Sequence, residues 1–262
     1  MPIDVAATMT VSSTGPATAL LQVAVAAPVT EQLTVLCDGE PLAVEEFAVG
    51  DARVHRVELR EGTTTVAYTA SVDLTGPPRP VTPADGAEAL RPSRYCPSDQ
   101  LEGYAATEFD RTRPRAELVA TVAGWVHDRL SYVSGASRPV DTAVDTLLLG
   151  QGVCRDYAHL TVTLLRALEV PARLVAVYAP GLDPMDFHAV VEADVDGTWC
   201  VVDATRLAPT RSLVRIGAGR DAADTAFLTL LGGGVARFES MLVTATVDGD
   251  LPGLTTEPVP LP

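Results

Sequence analysis

A chain of 262 residues, 47% apolar and 20% charged, is long enough to bury a core without disulfides or metal and too apolar to be disordered. Its formal charge of −15 repels phosphate backbones and anionic lipid surfaces, so neither nucleic acid nor a membrane surface is an expected partner. All 19 basic residues are Arg, and neither Lys nor Asn occurs, which is the usage of a GC-rich genome.

The start, Met1-Pro2-Ile3-Asp4, carries no positive stretch, and the apolar run over 17–29 is interrupted by Gln22 and too short to span a bilayer. The expectation is a cytoplasmic protein without a membrane segment. Cys37, Cys96, Cys154 and Cys200 lie far apart, with no CxxC pair and no histidine spacing suited to zinc. Free thiols are expected, and no metal or cofactor.

Residues 1–75 read as a β-rich N-terminal domain of about six strands. Ile3, Val5, Ala7, Met9 and Val11 alternate with more polar neighbours, and Val66, Tyr68, Ala70 and Val72 repeat the pattern. Asp38-Gly39, between two apolar runs, tolerates the positive φ of a two-residue hairpin turn. Cys37 and His55 fall inside strands as structural residues. Residues 76–113 open with four prolines in Pro77-Pro78-Arg79-Pro80-Val81-Thr82-Pro83 and read as a linker or strap.

Residues 114–250 read as the catalytic core with its C-terminal strands. Leu118, Val119, Val122, Trp125, Val126 and Leu130 form one helical stripe, which makes Trp125 a core residue and leaves His127 at the surface. A short helix over 142–149 has Asp141 as its expected N-cap and Gly150 as its left-handed C-cap. The next helix opens at Cys154 and stops before Pro171. A thiol in a helix's first turn sits at the positive end of the dipole, which favours the thiolate. The free N–H groups there can hold an oxyanion. Cys154's own N–H and the nearby Gln151 are the oxyanion candidates.

Downstream, the segments 185–194 and 198–203 read as a hairpin turning at Asp196-Gly197. With that two-residue turn Val195 faces Thr198 and Val190 faces Asp203, so His188 and Asp203 become diagonal neighbours on one face. Thiol, imidazole and carboxylate are the parts of acyl transfer on a cysteine. The chain separates them by 34 residues, Cys154 to His188, and 15, His188 to Asp203.

Gly152-Val153-Cys154-Arg155-Asp156-Tyr157-Ala158, His188-Ala189 and Trp199-x-Val201-Val202-Asp203-Ala204-Thr205 together resemble the three blocks of the transglutaminase-like superfamily, in its bacterial cysteine-protease branch. The resemblance spans roughly residues 90–210, with Ser93-Arg94-Tyr95-Cys96 also similar. It implies an α+β fold with a papain-like transglutaminase core, in which Cys154 is the nucleophile, His188 the base and Asp203 the orienting acid. Val190 stands where the family commonly carries an aromatic residue, and Ala204 where it commonly carries proline, which bears on the acyl pocket.

The expected reaction is attack by Cys154 on a peptide or protein amide, with hydrolysis of the thioester favoured. The alternatives are a protein-glutamine transglutaminase and a non-catalytic scaffold that keeps the fold. His159, about 140° round the helix from Cys154, reads as structural. Cys96 and Cys200 read as packed thiols, and Asp194-Val195-Asp196-Gly197 as a turn and not a calcium loop. Residues 251–262 are Pro-rich and read as a frayed tail.

Overall fold

Period-two alternation shapes the first part of the chain. In the first strand, β1 (Pro2–Ser13), Ile3, Val5, Ala7, Met9 and Val11 are buried and the residues between them turn outward. This computed structural model describes residues 2–261. The strands β2 (Ala17–Leu21), β3 (Thr30–Cys37), β4 (Glu40–Pro41), β5 (Val44–Val49), β6 (Ala52–Leu59) and β7 (Gly62–Asp73) follow. Asp38 and Gly39, at φ 49° and 86°, make the two-residue turn between β3 and β4.

The middle of the chain is α1 (Pro83–Glu88), α2 (Glu102–Glu108), α3 (Arg115–Arg129), β8 (Ser131–Tyr132), α4 (Ala143–Leu149), β9 (Gln151–Gly152) and α5 (Cys154–Ala167). Then come β10 (Ala172–Tyr178), β11 (Phe187–Val195), β12 (Thr198–Val202), β13 (Val214–Gly219), β14 (Leu228–Leu231), β15 (Ala236–Val247) and β16 (Val259–Pro260). Two sheets, ordered β15-β1-β7-β3-β4 and β14-β2-β6-β5, bury their apolar faces in a shared core that continues into Tyr178, Val214 and Ile216 of the third sheet. That third sheet, β13-β10-β11-β12-β16, carries α5 on one face and is antiparallel throughout. Mixed α and β elements of this kind make an α+β fold.

Three expectations from sequence change here. The strands β14 and β15, grouped with the catalytic core by their place in the chain, hydrogen-bond instead to β2 and β1. Alternation identifies a strand but not its partner, and this pairing joins segments more than 200 residues apart. The strap over 76–113 holds α1 and α2, and its residues 79–81 run along the β11–β12 hairpin, where the Trp199 and Val81 N–H groups donate to the Arg79 and Gly197 carbonyls at 2.9 Å. The tail is not frayed over its described residues: Val259 and Leu261 are buried beside β12, with Cys200 opposite Pro260 and Val201 opposite Val259. Prolines at 258 and 260 are tolerated because β16 lies at the edge of its sheet.

A buried charge cluster binds the third sheet to the β5–β6 turn. Glu192 of β11, fully buried, meets Arg173 of β10 at 2.8 Å and the buried Arg215 of β13; Arg215 and Arg79 also reach Asp51, at 3.5 and 3.0 Å. Arg173 lies 4.2 Å over the Trp199 ring. Glu192→Ala would leave Arg215 short of its main counter-charge in a place water does not reach, and is expected to cost about 3 kcal/mol or more. Urea unfolding checks this, and a loss below about 1 kcal/mol would mean that Asp51 alone suffices.

Candidate active site

The element that presents Cys154 is built to stay put. From Asp156 to Ala167 every residue of α5 is buried, so the helix is packed on all sides while its first residue, Cys154, remains partly exposed. Asp156, fully buried, reaches back to accept the Val153 N–H at 2.9 Å and the Ser137 hydroxyl at 2.5 Å, while Arg155 donates to its other oxygen. This fixes the first turn and its dipole beneath the thiol. Gly152 is required by the same carboxylate, since a Cβ there would lie 2.6 Å from Asp156 Cβ. The preceding helix α4 ends at Gly150 in the left-handed conformation, φ 66°, and its N-cap is Thr142, in a capping box with Asp145, one residue beyond the expected Asp141.

The β11–β12 hairpin has the two-residue turn read from Asp196-Gly197, at φ 52° and 85°, with Val195 opposite Thr198 and Val191 opposite Val202. That register brings His188 Nε2 within 2.8 Å of Asp203 Oδ2, both side chains nearly inaccessible to solvent. Nε2–H donates to the carboxylate, which leaves Nδ1 without a partner in strict hydrogen-bond geometry and facing the Cys154 thiol. The other carboxylate oxygen accepts from the Thr205 N–H at 2.8 Å and hydroxyl at 2.7 Å. Thr205 lies in the third sequence block but its role was not visible there.

Burial opposes the His188 imidazolium, but the Asp203 carboxylate and the Cys154 sulfur outweigh it and raise its pKa to about 10. Burial likewise opposes the Asp203 carboxylate, and the imidazolium with the Thr205 donors more than reverses this and holds its pKa below the ordinary 3.8. Because His188 binds its proton more tightly folded than unfolded, the pair's contribution to stability is fully present below the ordinary 6.5, where Asp203 remains ionised. It is lost as pH rises from there through about 10. On the acid side it fades as pH falls below 3.8 and Asp203 takes up a proton. The Tm gap between wild type and His188→Ala should therefore narrow, by roughly 5 °C or more, between pH 6 and pH 10. A gap independent of pH would mean that the pair is not charged.

Tyr132, in the short parallel pair β8–β9 opposite Gly152, places its hydroxyl against the Cys154 backbone N–H and thiol. Partial burial and then the neighbouring sulfur push its pKa up to about 12, so the hydroxyl stays protonated and able to donate. Sequence reading missed Tyr132, because a two-residue strand leaves no periodic signal. Gln151 lies in the same pair opposite Ser131 and, like Tyr132, does not line the cleft at Cys154.

A cleft of about 360 Å3 opens beside Cys154 and His188. Val190 does not line it, contrary to the expectation that it shapes the acyl pocket; it packs with Val175 and Val177 in the sheet. Neither tryptophan lines it either: Trp125 packs edge-on against Phe109 and Tyr104. His127, expected at the surface, is half-buried and its Nδ1–H donates to the Ala204 carbonyl at 2.9 Å, which ties α3 to the segment after Asp203. His159 is buried, stacked on Tyr95 at 5.2 Å, and accepts the Ala222 N–H, with burial pushing its pKa down to about 4. Cys96 is fully buried and its thiol is pushed up to about 12, so it is inert; Cys200 is buried and shifted in the same direction. No helix among the described residues is long and apolar enough to cross a membrane.

An accessible thiol opening a buried helix, faced by an imidazole that a buried carboxylate holds, is the arrangement of a cysteine-dependent enzyme. The chain belongs to the transglutaminase-like superfamily, whose family model, described as "Transglutaminase-like superfamily", matches residues 104–204. A solved structure from Cytophaga hutchinsonii, provisionally assigned as a cysteine protease, is 31% identical and superposes with a TM-score of 0.87 over 100% of this chain and 98% of the other. Curated relatives include the uncharacterized proteins ML0607 of Mycobacterium leprae, 28% identical over 53% of this chain and 53% of its own length, and Rv2569c of Mycobacterium tuberculosis, 31% identical over 48% of this chain and 45% of its own. The chain thus spans about half the length of the curated relatives it matches.

Proposed function

We propose that the protein hydrolyses peptide or amide bonds through a thioester on Cys154, with His188 as base and then acid and Asp203 as the carboxylate that orients it. The observation that carries this is the 2.8 Å bond from His188 Nε2 to Asp203, which commits one ring nitrogen and leaves Nδ1 for the thiol at the start of α5. The thiolate attacks the carbonyl carbon, the C–N bond breaks and the amine leaves with the imidazolium proton. Water then gives a proton to His188 as its oxygen attacks the thioester, and the C–S bond breaks to release the acid.

Hydrolysis is favoured over amine transfer because an amine must outcompete water at about 55 M, which calls for a sheltered apolar channel, and neither tryptophan reaches the cleft. Four unpaired thiols suit a reducing compartment, in keeping with a cytoplasmic protein. The test is to supply a reactive acyl donor with a millimolar primary amine and weigh the products. Acid should dominate. Mostly amide would make the protein a transglutaminase, and no acyl adduct on Cys154 with any donor would make it a scaffold.

In this mechanism the oxyanion is held between the Cys154 N–H and the Tyr132 hydroxyl. Tyr132→Phe removes one of the two donors and is expected to lower kcat by roughly 10²-fold. The measure is kcat beside the rate of Cys154 alkylation, which needs no oxyanion and should change far less. Equal losses in both would mean that Tyr132 only supports the thiol.

A further inference from the structure

The apolar wall of the cleft beside Cys154 is built by parts of the chain that the three sequence blocks do not include. Leu174, Ile216 and Phe187 come from the third sheet, Leu228 and the preceding Phe227 from the start of β14, and Met241 from β15. Phe187 and Phe227 stack with ring centroids 5.3 Å apart, and Phe187 in turn rests on Tyr178 at 5.2 Å, so this wall is rigid. Two cations lie among the lining residues, and both are committed: the Arg155 guanidinium to Asp156 and the Arg138 carbonyl, and the His188 imidazolium to Asp203. The interior offers no free positive charge to an acidic side chain. Its one carboxylate, Asp186, is exposed next to Phe187, and burial of the surrounding space already disfavours its charged form.

Besides His188 Nδ1, which faces the thiol, one buried polar atom in the lining has no protein partner. Gln22, just past β2, is 6% exposed, its Nε2 is buried without a hydrogen bond, and its backbone N–H donates to the Phe227 carbonyl at 3.0 Å. A buried amide donor with nothing to donate to is costly unless a ligand meets it. A largely apolar recess with one unsatisfied donor beside a nucleophile has the composition of a side-chain pocket with a backbone anchor.

We propose that this cleft is the acyl-side pocket of the reaction, that it accepts a bulky apolar side chain such as Phe or Leu from the residue whose carbonyl Cys154 attacks, and that Gln22 donates to a substrate backbone carbonyl. The proposal rests on Cys154 being the nucleophile, as inferred above. It gives the β-rich unit a part in choosing the substrate, since Gln22 and Met241 reach the cleft from its two sheets.

The experiment uses the full chain and a set of dipeptidyl acyloxymethyl ketones that differ only in the residue next to the ketone: Phe, Leu, Ala, Gln, Lys or Glu. In each the Cys154 sulfur forms a bond to the methylene carbon as the carboxylate leaves with the C–O electron pair, and intact mass reports the rate. Iodoacetamide, which has no side chain to place, measures the thiol itself. Phe and Leu probes should react about 10- to 100-fold faster than Ala, the range expected for filling an apolar pocket, with Glu and Lys slowest. Phe227→Ala should reduce the ratio of the Phe-probe rate to the iodoacetamide rate about tenfold. Met241→Trp, at a half-buried position, should narrow the cleft and shift the preference toward Ala. Equal rates across the set, or a preference for Gln, Lys or Glu, would overturn the pocket while leaving the nucleophile standing. A Cys154 that ignores iodoacetamide and every probe would overturn the nucleophile, and the pocket with it.

Discussion

Cys154→Ala is expected to remove turnover almost completely, by about 10⁵-fold or more, and to leave the fold intact. The first half of that expectation follows from the chemistry: without sulfur no covalent intermediate forms, and His188 and Asp203 have only water to activate. The second follows from how α5 is held. Its position depends on Asp156, bonded to Val153, Ser137 and Arg155, and on the buried run from Tyr157 to Ala167, none of which the thiol supports. The measurements are kcat with a reactive acyl donor, Tm, and the mass of the alkylated protein. A loss of tenfold or less would remove Cys154 from the nucleophile's place. NMR titration of His188 adds a second readout: its pKa should fall when the sulfur is removed yet stay above 6.5, because the Asp203 carboxylate remains.

Asp203→Ala should cost about two to four powers of ten in kcat, while Asp203→Asn should fall between it and wild type. The structure explains why asparagine is a compromise. One carboxylate oxygen accepts from His188 and the other from the Thr205 N–H and hydroxyl, so all neighbours but the rotatable hydroxyl are fixed donors. An amide can turn its oxygen to the imidazole only by facing its NH₂ to the Thr205 N–H, or the reverse. Either choice keeps one bond and spoils another. Thr205→Val paired with Asp203→Asn separates these effects, since it removes the hydroxyl that could accept from the amide. Equal, small losses for alanine and asparagine would show that Asp203 does not orient the ring.

The parts of the site that were legible in the sequence are those set by local rules. A glycine-bounded turn followed by a helical run fixes Cys154 at the head of α5, and Asp196-Gly197 fixes the register that joins His188 to Asp203 across a hairpin. The parts that were not legible arrive through long-range pairing. Tyr132 depends on a two-residue parallel ladder, Met241 on the match of β15 to β1, and Gln22 on the end of β2 meeting Phe227. His127 was misplaced because a helical stripe tells which face is apolar but not that the Ala204 carbonyl waits on the other side. The tail was misplaced for a related reason, as proline content argues against a central strand and says little about an edge.

The pairing of β1 with β15 bears on how the molecule is made. β1 is matched along its length by β7 on one side and by β15 on the other, from Ile3 opposite Val247 to Ser13 opposite Ala236. During synthesis β7 emerges within the first 73 residues, but the second partner is not complete until residue 247 has left the ribosome. For all that time one flank of a twelve-residue strand, apolar on one face, is open to any extended segment that passes. The intervening core, with its local helices and the hairpin from β11 to β12, can fold during this interval because its contacts are short in sequence. β1 is thus enclosed on its second side only once β15 is made, and a chain interrupted before residue 236 would display that flank as a ready template for aggregation.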